Sequence, residues 1–322
     1  IKGAIAAIED PENPARSMGV VARGREALLQ TQQSRYTTSP HIHVLNTIKE
    51  EDGPFALVGL PCQIHSLRKR QLYDPRWSAR IPFVIGLLCH YSLPMAATEE
   101  AGELLAPPGT YLQHTRYRQR DQRGWPFNTL ELTFSNGHVW RSPYGPAQTF
   151  NIVSRVSKLG RCLQCLDAAA EFSDISVCDP WIRDEKGRWK YDDPKGYSGL
   201  LVRTRTGADL IEDISAAGRL FLREIPAEEI EQGQRQMMHE KKLRTAFRLS
   251  VRKRLGLRIP VYPMSFSAPD VRTVIGEMQF WFMRLLPASK TLRGLLLRLG
   301  FSDLGKYLIQ RRIRKREIKA QQ

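Results

Sequence analysis

Four cysteines carry the clearest chemistry in this sequence. Cys162 and Cys165 form a CxxC pair within Gly160–Asp179, whereas Cys62 (in GLPCQI) and Cys89 (in IGLLCHY) stand alone far upstream. Four thiolates are the ligand set of an iron–sulfur cluster. They could also form a structural zinc site or remain unligated buried thiols. The isolated positions of two of the four favour the cluster, because zinc ligands usually come as two close pairs.

The segments before the single cysteines have the pattern of buried strands. Phe55–Val58 is an apolar run that leads through GLP to Cys62 and then to the helical pattern QIHSLRKRQL, and Ile81–Leu88 runs directly into Cys89. This order places Cys62 at a helix N-terminus, where backbone N–H groups and the helix dipole favour a thiolate.

The rest of the chain alternates strand and helix patterns, which predicts a mixed α/β fold with a mixed sheet at its core. Residues 107–145 predict an inserted β-meander, with a hairpin at Asn136-Gly137. Further strands are predicted at residues 1–8, Ser17–Ala22, Asp174–Asp179 and Leu200–Arg205. Helices are predicted at residues 25–32, His43–Glu51, Pro226–Leu255, Val271–Leu286 and Leu292–Arg316, with a turn leading into another helix at Gly207–Gly218.

Net charge is concentrated at the C-terminal end. The 322 residues carry a formal charge of +16, and 20 of the 49 Lys and Arg but only 4 of the 33 Asp and Glu lie from Lys241 onward. The remaining 29 basic and 29 acidic residues balance, so an anionic partner is expected at residues 241–322. Nucleic acid is disfavoured, because the aromatic residues are not interleaved with these charges.

Cysteine usage and hydropathy indicate a cytoplasmic protein. Five cysteines in scattered phrases do not form the dense framework of a small secreted domain. Apolar stretches such as Met278–Met283 are shorter than the roughly 20 residues of a membrane-spanning helix. Peripheral attachment to the inner face of a membrane stays open.

Several phrases together resemble one known family. GLPCQIHSLRK, IGLLCHY, CLQCLDAAAEFSDISVCDPW and GYSGLLVRTRTG occur in the order seen in the coenzyme F420 hydrogenase/dehydrogenase beta-subunit family, and SRYTTSP is similar to its N-terminal signature. The similarity covers about residues 1–225. It implies an N-terminal part of the family domain at 1–58, lacking its start, a flavin and iron–sulfur domain at 59–225, and a basic helical extension at 226–322.

The resemblance also implies cofactors, partners and site residues. In this family a [4Fe-4S] cluster and a flavin, usually FAD, exchange electrons, and the flavin exchanges hydride with F420 or another substrate. The implied cluster ligands are Cys62, Cys89, Cys162 and Cys165. The implied flavin contacts are Ser34, Arg35, Tyr36, Thr38, Pro61, Gln63, Ser198, Arg203 and Thr204. A redox partner protein or F420 would act as the electron carrier.

Other candidate residues have ordinary alternative explanations. Cys178 stands where the family usually has glycine, and a small buried side chain is the simplest interpretation, with a substitute ligand as the other. His65 and His90 neighbour the cysteines but are expected to be packed or surface histidines, and Tyr197 to be a packing aromatic. Four acidic residues near the CxxC pair could have structural roles or could transfer protons: Asp167, Glu171, Asp174 and Asp179. Four arginines of the predicted β-meander could be solvated or could face a phosphate or an acidic partner: Arg116, Arg118, Arg120 and Arg123.

Three functions therefore remain at this point. The first is an electron-transfer oxidoreductase. The second is a non-catalytic interaction protein in which the cysteines hold zinc or nothing and the basic extension makes the contacts. The third is an accessory reductase of a surface-polysaccharide or lipid pathway that the extension holds at a membrane. For that extension, a solvated helix, an anionic membrane surface and an acidic partner all remain open.

Overall fold

A six-stranded mixed sheet forms the centre of the protein. The computed structural model describes residues 1–311 except residues 123, 127, 146–148, 150, 151, 155, 192, 263–268 and 286–288. The strand order is β2-β1-β3-β4-β8-β9, in which β1, β3, β4 and β8 are parallel and β2 and β9 pair antiparallel at the two edges. The strands are β1 Ala4–Glu9, β2 Ser17–Ala22, β3 Ala56–Gly59, β4 Phe83–Leu87, β8 Ile175–Cys178 and β9 Gly199–Val202.

Helices cover both faces of this sheet. On one face, Ile5, Leu57 and Val84 of the strands pack with two helices. These contribute Ile64 from α2 (Pro61–Tyr73) and Trp77 from α3 (Arg76–Arg80). On the other, Phe83 and Ile175 lie in the cluster that also contains Leu210 and Ile211 of α5. Because both faces are buried, the parallel strands are apolar without alternation. The helices are α1 Gly24–Gln30, α2 Pro61–Tyr73, α3 Arg76–Arg80, α4 Met95–Leu105 and α5 Arg205–Ala216.

A second, three-stranded antiparallel sheet is inserted between β4 and β8. It consists of β5 Leu112–Arg120, β6 Asn128–Phe134 and β7 Val139–Arg141, in that order. One face carries Tyr117, Leu130, Leu132 and Phe134, which pack on α4 and on Leu297 near the C-terminus. The predicted meander and its hairpin are confirmed, with Gly137 at a φ of +80°.

The chain ends in helices that pack back onto the body. They are α6 Ala227–Met238, a π-helical turn at His239–Arg244, α7 Thr245–Arg254, α8 Val271–Leu285 and α9 Lys290–Phe301, and residues 303–311 are also helical. Arg293 on α9 forms an ion pair with Glu100 on α4, and the Tyr144 hydroxyl donates to the carbonyl of Gly300 at 2.6 Å. No helix among the described residues is long and apolar enough to cross a membrane.

The α/β fold class and most of the predicted elements are confirmed. The prediction of a helix at His43–Glu51 is wrong, because the chain forms two short 3₁₀ turns, His41–Asn46 and Glu50–Asp52, around Thr47 and Ile48. The turn predicted at Gly207 is already helix, since the Thr204 side chain accepts a hydrogen bond from the N–H of Gly207 and caps α5. The last predicted helix is interrupted at Ser302, and residues 312–316 lie outside the described residues.

Candidate functional site

Cys62 lies at the carboxyl ends of the parallel strands, an edge we call the carboxyl edge, where β1, β3, β4 and β8 terminate. The chain leaves β3 at Gly59, and α2 begins at Pro61, a residue suited to the first helical position because it has no N–H to leave unpaired. Cys62 is therefore the second residue of α2, as predicted. The Gln63 side chain accepts a hydrogen bond from the N–H of Leu60 at 2.7 Å and fixes this turn.

Cys89 lies at the same edge, two residues beyond β4. Its N–H donates to the carbonyl of Ala168 at 2.9 Å, and the N–H of Leu88 donates to that of Val177 at 3.0 Å. These bonds join the end of β4 to the segment that follows the CxxC pair, so Cys89 is held next to it.

Cys162 lies in a 3₁₀ turn, Arg161–Gln164, and Cys165 directly follows this turn. The N–H of Ser92 donates to the Cys162 sulfur at 3.4 Å, and the Cys165 thiol donates to the carbonyl of Asp167 at 3.5 Å. An N–H directed at a sulfur stabilises negative charge there.

The four thiols share one electrostatic environment. Burial raises the pKa of Cys62, and the charges of Cys165 and Cys162 raise it further. Burial raises the pKa of Cys89 as well, with contributions from the other three thiols. All four are free and half-buried. Among the described residues, no three Cys, His, Asp or Glu side chains are grouped so that they could hold a single metal ion.

Cys178 stands apart from this group. Burial raises its pKa to about 12, with Asp179 as the second contributor and none of the other thiols involved. Its sulfur lies 2.9 Å from where a Cβ on Gly199 would be, which places it in the contact between β8 and β9. Cys178 therefore packs between strands, as the simplest sequence interpretation expected.

Lys241 places a buried positive charge beside the thiols. It is 1% exposed, and its ammonium donates to the carbonyl of Cys162 at 3.2 Å. Its charge acts to lower the pKa values of Cys62, Cys89 and Cys165. A buried ammonium is costly unless it is paired. This one is placed where anionic sulfur would compensate it, so the residues present fit a negatively charged thiolate centre.

Three consecutive carbonyls of the CxxC turn are bound by side chains from residues 239–262, a segment we call the C-terminal cover. Lys241 binds the carbonyl of Cys162, Arg248 donates to that of Leu163 at 2.6 Å, and the Tyr262 hydroxyl donates to that of Gln164 at 2.9 Å. Leu249, fully buried, packs with Leu166 just after the pair. The basic extension thus forms one wall of the site.

A buried carboxylate anchors the cover from the other side. Glu277 of α8 is 0% exposed and accepts hydrogen bonds from Arg244 at 2.8 Å and from Arg248 at 2.9 and 3.0 Å. Arg248 thereby connects α8 to the CxxC turn.

Both histidines near the cysteines are paired with carboxylates. His65 and Asp167 are hydrogen-bonded at 2.9 Å, and His90 and Glu240 at 3.0 Å. Glu240 also accepts from the Tyr91 hydroxyl at 2.9 Å. These pairs tie α2 and the Cys89 loop to the CxxC segment and to the cover.

The predicted flavin segment Ser34–Thr38 lies at the carboxyl edge. Thr38 donates to the carbonyl of Leu93 through its N–H at 3.0 Å and its hydroxyl at 3.1 Å. The Tyr36 ring meets Tyr117 edge to face at 5.3 Å. Burial raises the pKa of Tyr36, and the charge of Cys89 contributes to the same increase, so this segment lies near Cys89.

Arg35 supplies a donor that the described residues leave unused. Its Nη1 donates to the carbonyl of Thr115 at 3.2 Å and lies 3.9 Å from Glu9, but its buried Nε has no partner among them. A buried donor without a partner costs about 1–3 kcal/mol. A polar ligand group at this edge would satisfy it, so this segment fits a flavin's polar atoms.

The other predicted flavin contacts are divided between two places. Gln63, two residues after Pro61, donates to the carbonyl of Ser39 at 2.8 Å and thus joins α2 to the Ser34–Thr38 region. Ser198 is exposed and precedes β9 at the carboxyl edge.

Arg203 and Thr204 follow the opposite end of β9, where it pairs with the start of β8. The Arg203 guanidinium donates to the Ser176 hydroxyl at 2.8 Å and to the carbonyl of Ala169 at 3.1 Å, and the Thr204 hydroxyl donates to Asp174 at 2.9 Å. The structure therefore does not bring these two together with Ser198.

The acidic residues have structural partners. Asp174 accepts from the N–H of Val84 at 2.8 Å and from Arg68 at 3.2 Å. Asp179, at the end of β8, pairs with Arg118 of β5 at 2.6 Å. Glu171 is ion-paired with Lys242.

Within the predicted arginine cluster, only Arg118 makes an ion pair among the described residues. Arg116 donates to Gln119 at 3.1 Å and Arg120 to the carbonyl of Lys195 at 3.2 Å. Arg123 lies outside the described residues. Tyr197 is 47% exposed and its ring is 5.8 Å from that of Tyr191.

Three tryptophans beside the carboxyl edge were missed by the sequence analysis. The rings of Trp125, Trp181 and Trp189 lie 5.4 to 5.6 Å apart, and Trp181, just after β8, has a φ of +50°. Their spacing along the chain follows no strand or helix period, so no local signal linked them. The sequence did not indicate Lys241 and Arg248, because a buried cation in a basic helix has the same local pattern as its solvated neighbours, and nothing local singled out Tyr262.

Comparison with known proteins identifies relatives of this chain. The sequence model for the C terminus of the coenzyme F420 hydrogenase/dehydrogenase beta subunit matches residues 53–228, more than half of the chain. The chain belongs to this family. The F420 hydrogenase/dehydrogenase beta-subunit family consists of oxidoreductase subunits, so the family resemblance inferred from the cysteine phrases is confirmed.

The individual relatives have low sequence identity to this chain, but the similarity extends over most of its length. The coenzyme F420 hydrogenase beta subunit of Methanococcus voltae is 24% identical over 78% of this chain and 82% of its own length. A coenzyme F420-dependent sulfite reductase of Methanocaldococcus jannaschii is 24% identical over 70% of this chain and 33% of its own length. A chain of the F420-reducing [NiFe] hydrogenase complex from Methanosarcina barkeri shares the fold, with a TM-score of 0.58, 23% identity and coverage of 81% and 84%.

The family match and the cover occupy different parts of the chain. All four clustered cysteines lie within residues 53–228. Lys241, Arg248, Tyr262 and Glu277 lie beyond it, so the wall that they build over the CxxC turn is not part of the matched family domain.

Proposed function

We propose that this chain is an electron-transfer subunit in which Cys62, Cys89, Cys162 and Cys165 hold a [4Fe-4S] cluster beside FAD. The observation that carries the proposal is the meeting of four free thiols from three separate segments under one buried ammonium. Four thiolates are the usual ligands of such a cluster. The cluster supplies one-electron transfer, and the flavin connects it to hydride exchange with F420 or another substrate.

The protein's contribution is to hold and charge-balance the thiolates. Lys241 offsets part of the negative charge of four thiolates, and the N–H of Ser92 donates to one sulfur. Hydrogen bonds and nearby charge of this kind raise the potential of a cluster by favouring its reduced, more negative state. The three bound carbonyls of the CxxC turn keep Cys162 and Cys165 in place while the charge changes.

Flavin binding is proposed at the carboxyl edge, where open α/β sheets commonly bind ligands. Ser34, Arg35, Tyr36 and Thr38 would form one side, with the free Nε of Arg35 donating to a polar flavin atom. Pro61, Gln63 and Ser198 lie at the same edge. Arg203 and Thr204 already hold β8, β9 and α5 together and are not part of this proposed contact set.

Anaerobic purification followed by metal, sulfide and flavin analysis tests the proposal. We expect a brown protein with about four iron and four sulfide per chain and bound flavin. A colourless protein that contains zinc, or no metal and no flavin after reconstitution, would contradict it. Reduced F420, ferredoxin and NADPH, offered in turn while the flavin absorbance is followed, would identify the electron carrier.

A paired substitution separates the flavin site from the cluster. Arg35→Met should lower flavin content while leaving iron unchanged, because Arg35 has no contact with the cysteines. Arg116→Met, in the exposed part of β5, is the matched control and should leave both unchanged. Full flavin occupancy in the Arg35 variant would refute the proposed flavin position.

A further inference from the structure

Helix α8 has the reverse of the polarity expected for a surface helix. Its inward face carries Thr273, 4% exposed, and Glu277, 0% exposed, which is paired with arginines of the cover. A helix packed on a soluble protein normally turns its apolar stripe inward and its polar side to water. Here the two buried side chains are polar, and the partly buried Phe280 lies beside them under the guanidinium groups of Arg244 and Arg248.

The outward face of α8 is apolar and aromatic. Five large side chains that share this face are exposed by 46% to 74%: Val271, Ile275, Met278, Trp281 and Phe282. Their spacing of three and four residues makes one continuous stripe. The exposed polar residues beside it are Arg272 and Gln279, and the acidic residue of the helix, Glu277, points inward.

This exposure extends over the C-terminal region as a whole. Of the 28 large hydrophobic side chains exposed among the described residues, 14 lie beyond residue 242, the last quarter of the chain. On α9 and the helical residues 303–311 the exposed members are Leu295, Leu299, Leu304, Tyr307 and Leu308. Isolated exposed hydrophobics are normal, but a concentration of this kind marks an interaction surface.

The charge of the same region indicates what covers it. From Lys241 onward there are 20 basic and 4 acidic residues, and one of the four acids, Glu277, is already buried in an ion pair. Lys253, Arg254 and Arg258 are exposed on either side of the exposed Leu255 and Leu257. Apolar stripes with Trp and Phe, flanked by Lys and Arg and poor in acids, suit the interface of an anionic bilayer.

We propose that the exposed side chains of residues 253–262, 271–282 and 289–311 bind the surface of an anionic phospholipid membrane, with the outward stripe of α8 inserted among the lipid headgroups. The inward side of α8 remains fixed to the C-terminal cover through Glu277, so the membrane would be held next to the wall of the thiol site. This inference does not depend on any cofactor, because the surface is built from exposed side chains outside the site.

Vesicle co-sedimentation of the full chain tests the proposal. The protein should co-sediment with vesicles of phosphatidylcholine that contain about a third phosphatidylglycerol, and it should stay in the supernatant with vesicles of pure phosphatidylcholine. Salt at about 0.5 M should weaken the binding. The double variant Met278→Glu/Phe282→Glu should lower the apparent partition coefficient at least tenfold. It replaces 67% and 65% exposed side chains and should keep the wild-type melting temperature and iron content.

A matched control and one alternative make the outcome decisive. Leu72→Glu/Tyr73→Glu changes two hydrophobic side chains at the end of α2 that are more exposed, at 83% and 89%, and this variant should bind vesicles like the wild type. Equal binding by wild type and the α8 variant, or no binding to anionic vesicles, would overturn the proposal. So would a wild-type dimer in light scattering that the α8 variant converts to monomer, because the stripe would then be a contact between two copies.

Discussion

Replacing Glu277 with glutamine tests whether the C-terminal cover depends on its buried ion pairs. The carboxylate is fully buried and accepts one hydrogen bond from Arg244 and two from Arg248, at 2.8 to 3.0 Å. Glutamine keeps the size of the side chain but removes the charge and presents an amide NH₂ to a guanidinium. Arg248, 3% exposed, is left without its counter-charge.

The expected cost follows from the loss of one partner of a buried pair, which is typically about 3–5 kcal/mol. A loss of about 3 kcal/mol corresponds to a melting temperature lower by about 6–12 °C for a domain of this size. Because Arg248 also binds the carbonyl of Leu163 at 2.6 Å, the variant should release iron faster under a chelator. Thermal unfolding and chelation kinetics measure the two effects.

Glu231→Gln, an exposed carboxylate of α6, is the matched control and should change neither quantity. If Glu277→Gln melts within about 2 °C of the wild type, or if it melts early but retains iron like the wild type, the cover does not hold the CxxC turn as argued.

Two further predictions concern buried titratable side chains, Lys241 and His41. Lys241→Met should make the midpoint potential of the reconstituted centre more negative by roughly 60 mV or more, about 1.4 kcal/mol, because a positive charge beside the thiolates is lost. A redox titration followed by EPR measures this potential. An unchanged potential would exclude the charge-balancing role of Lys241. Burial lowers the pKa of His41 to about 4, although a hydrogen bond with the Val58 backbone acts to raise it. His41 is therefore protonated below about pH 6.5 in the unfolded chain but only near pH 4 in the folded chain. Protonation favours the unfolded chain, so the free energy of unfolding falls as the pH falls from about 6.5 to about 4. Between pH 7 and pH 5 the wild type should lose about 2 kcal/mol more than His41→Gln in urea unfolding, and parallel losses would contradict this.

The central architecture could be predicted from the sequence because its signals are local. Apolar runs such as Ala56–Gly59 and Phe83–Leu87 end in glycine, proline or cysteine, and parallel strands buried on both faces leave such uninterrupted patterns. The position of Cys62 at a helix N-terminus followed from Pro61 and the helical period after it. The carboxyl edge then had to collect the residues that follow β3 and β4.

The cover could not be predicted, because its contacts are long-range. Nothing in KKLRTAF distinguishes Lys241, which is buried, from Lys242, which forms an ion pair at the surface with Glu171. The inversion of α8 was equally hidden, since a hydrophobic stripe indicates a buried face by default. Only the placement of Glu277 against Arg248 shows which face is inside.

The most direct test of the thiol centre compares two cysteine variants after anaerobic reconstitution. Cys162→Ser should lose the iron and sulfide and the EPR signal of the reduced cluster, whereas Cys178→Ser, between β8 and β9, should retain about four iron per chain and the same spectrum. Equal iron content in both variants, or loss of iron from the Cys178 variant alone, would contradict the assignment.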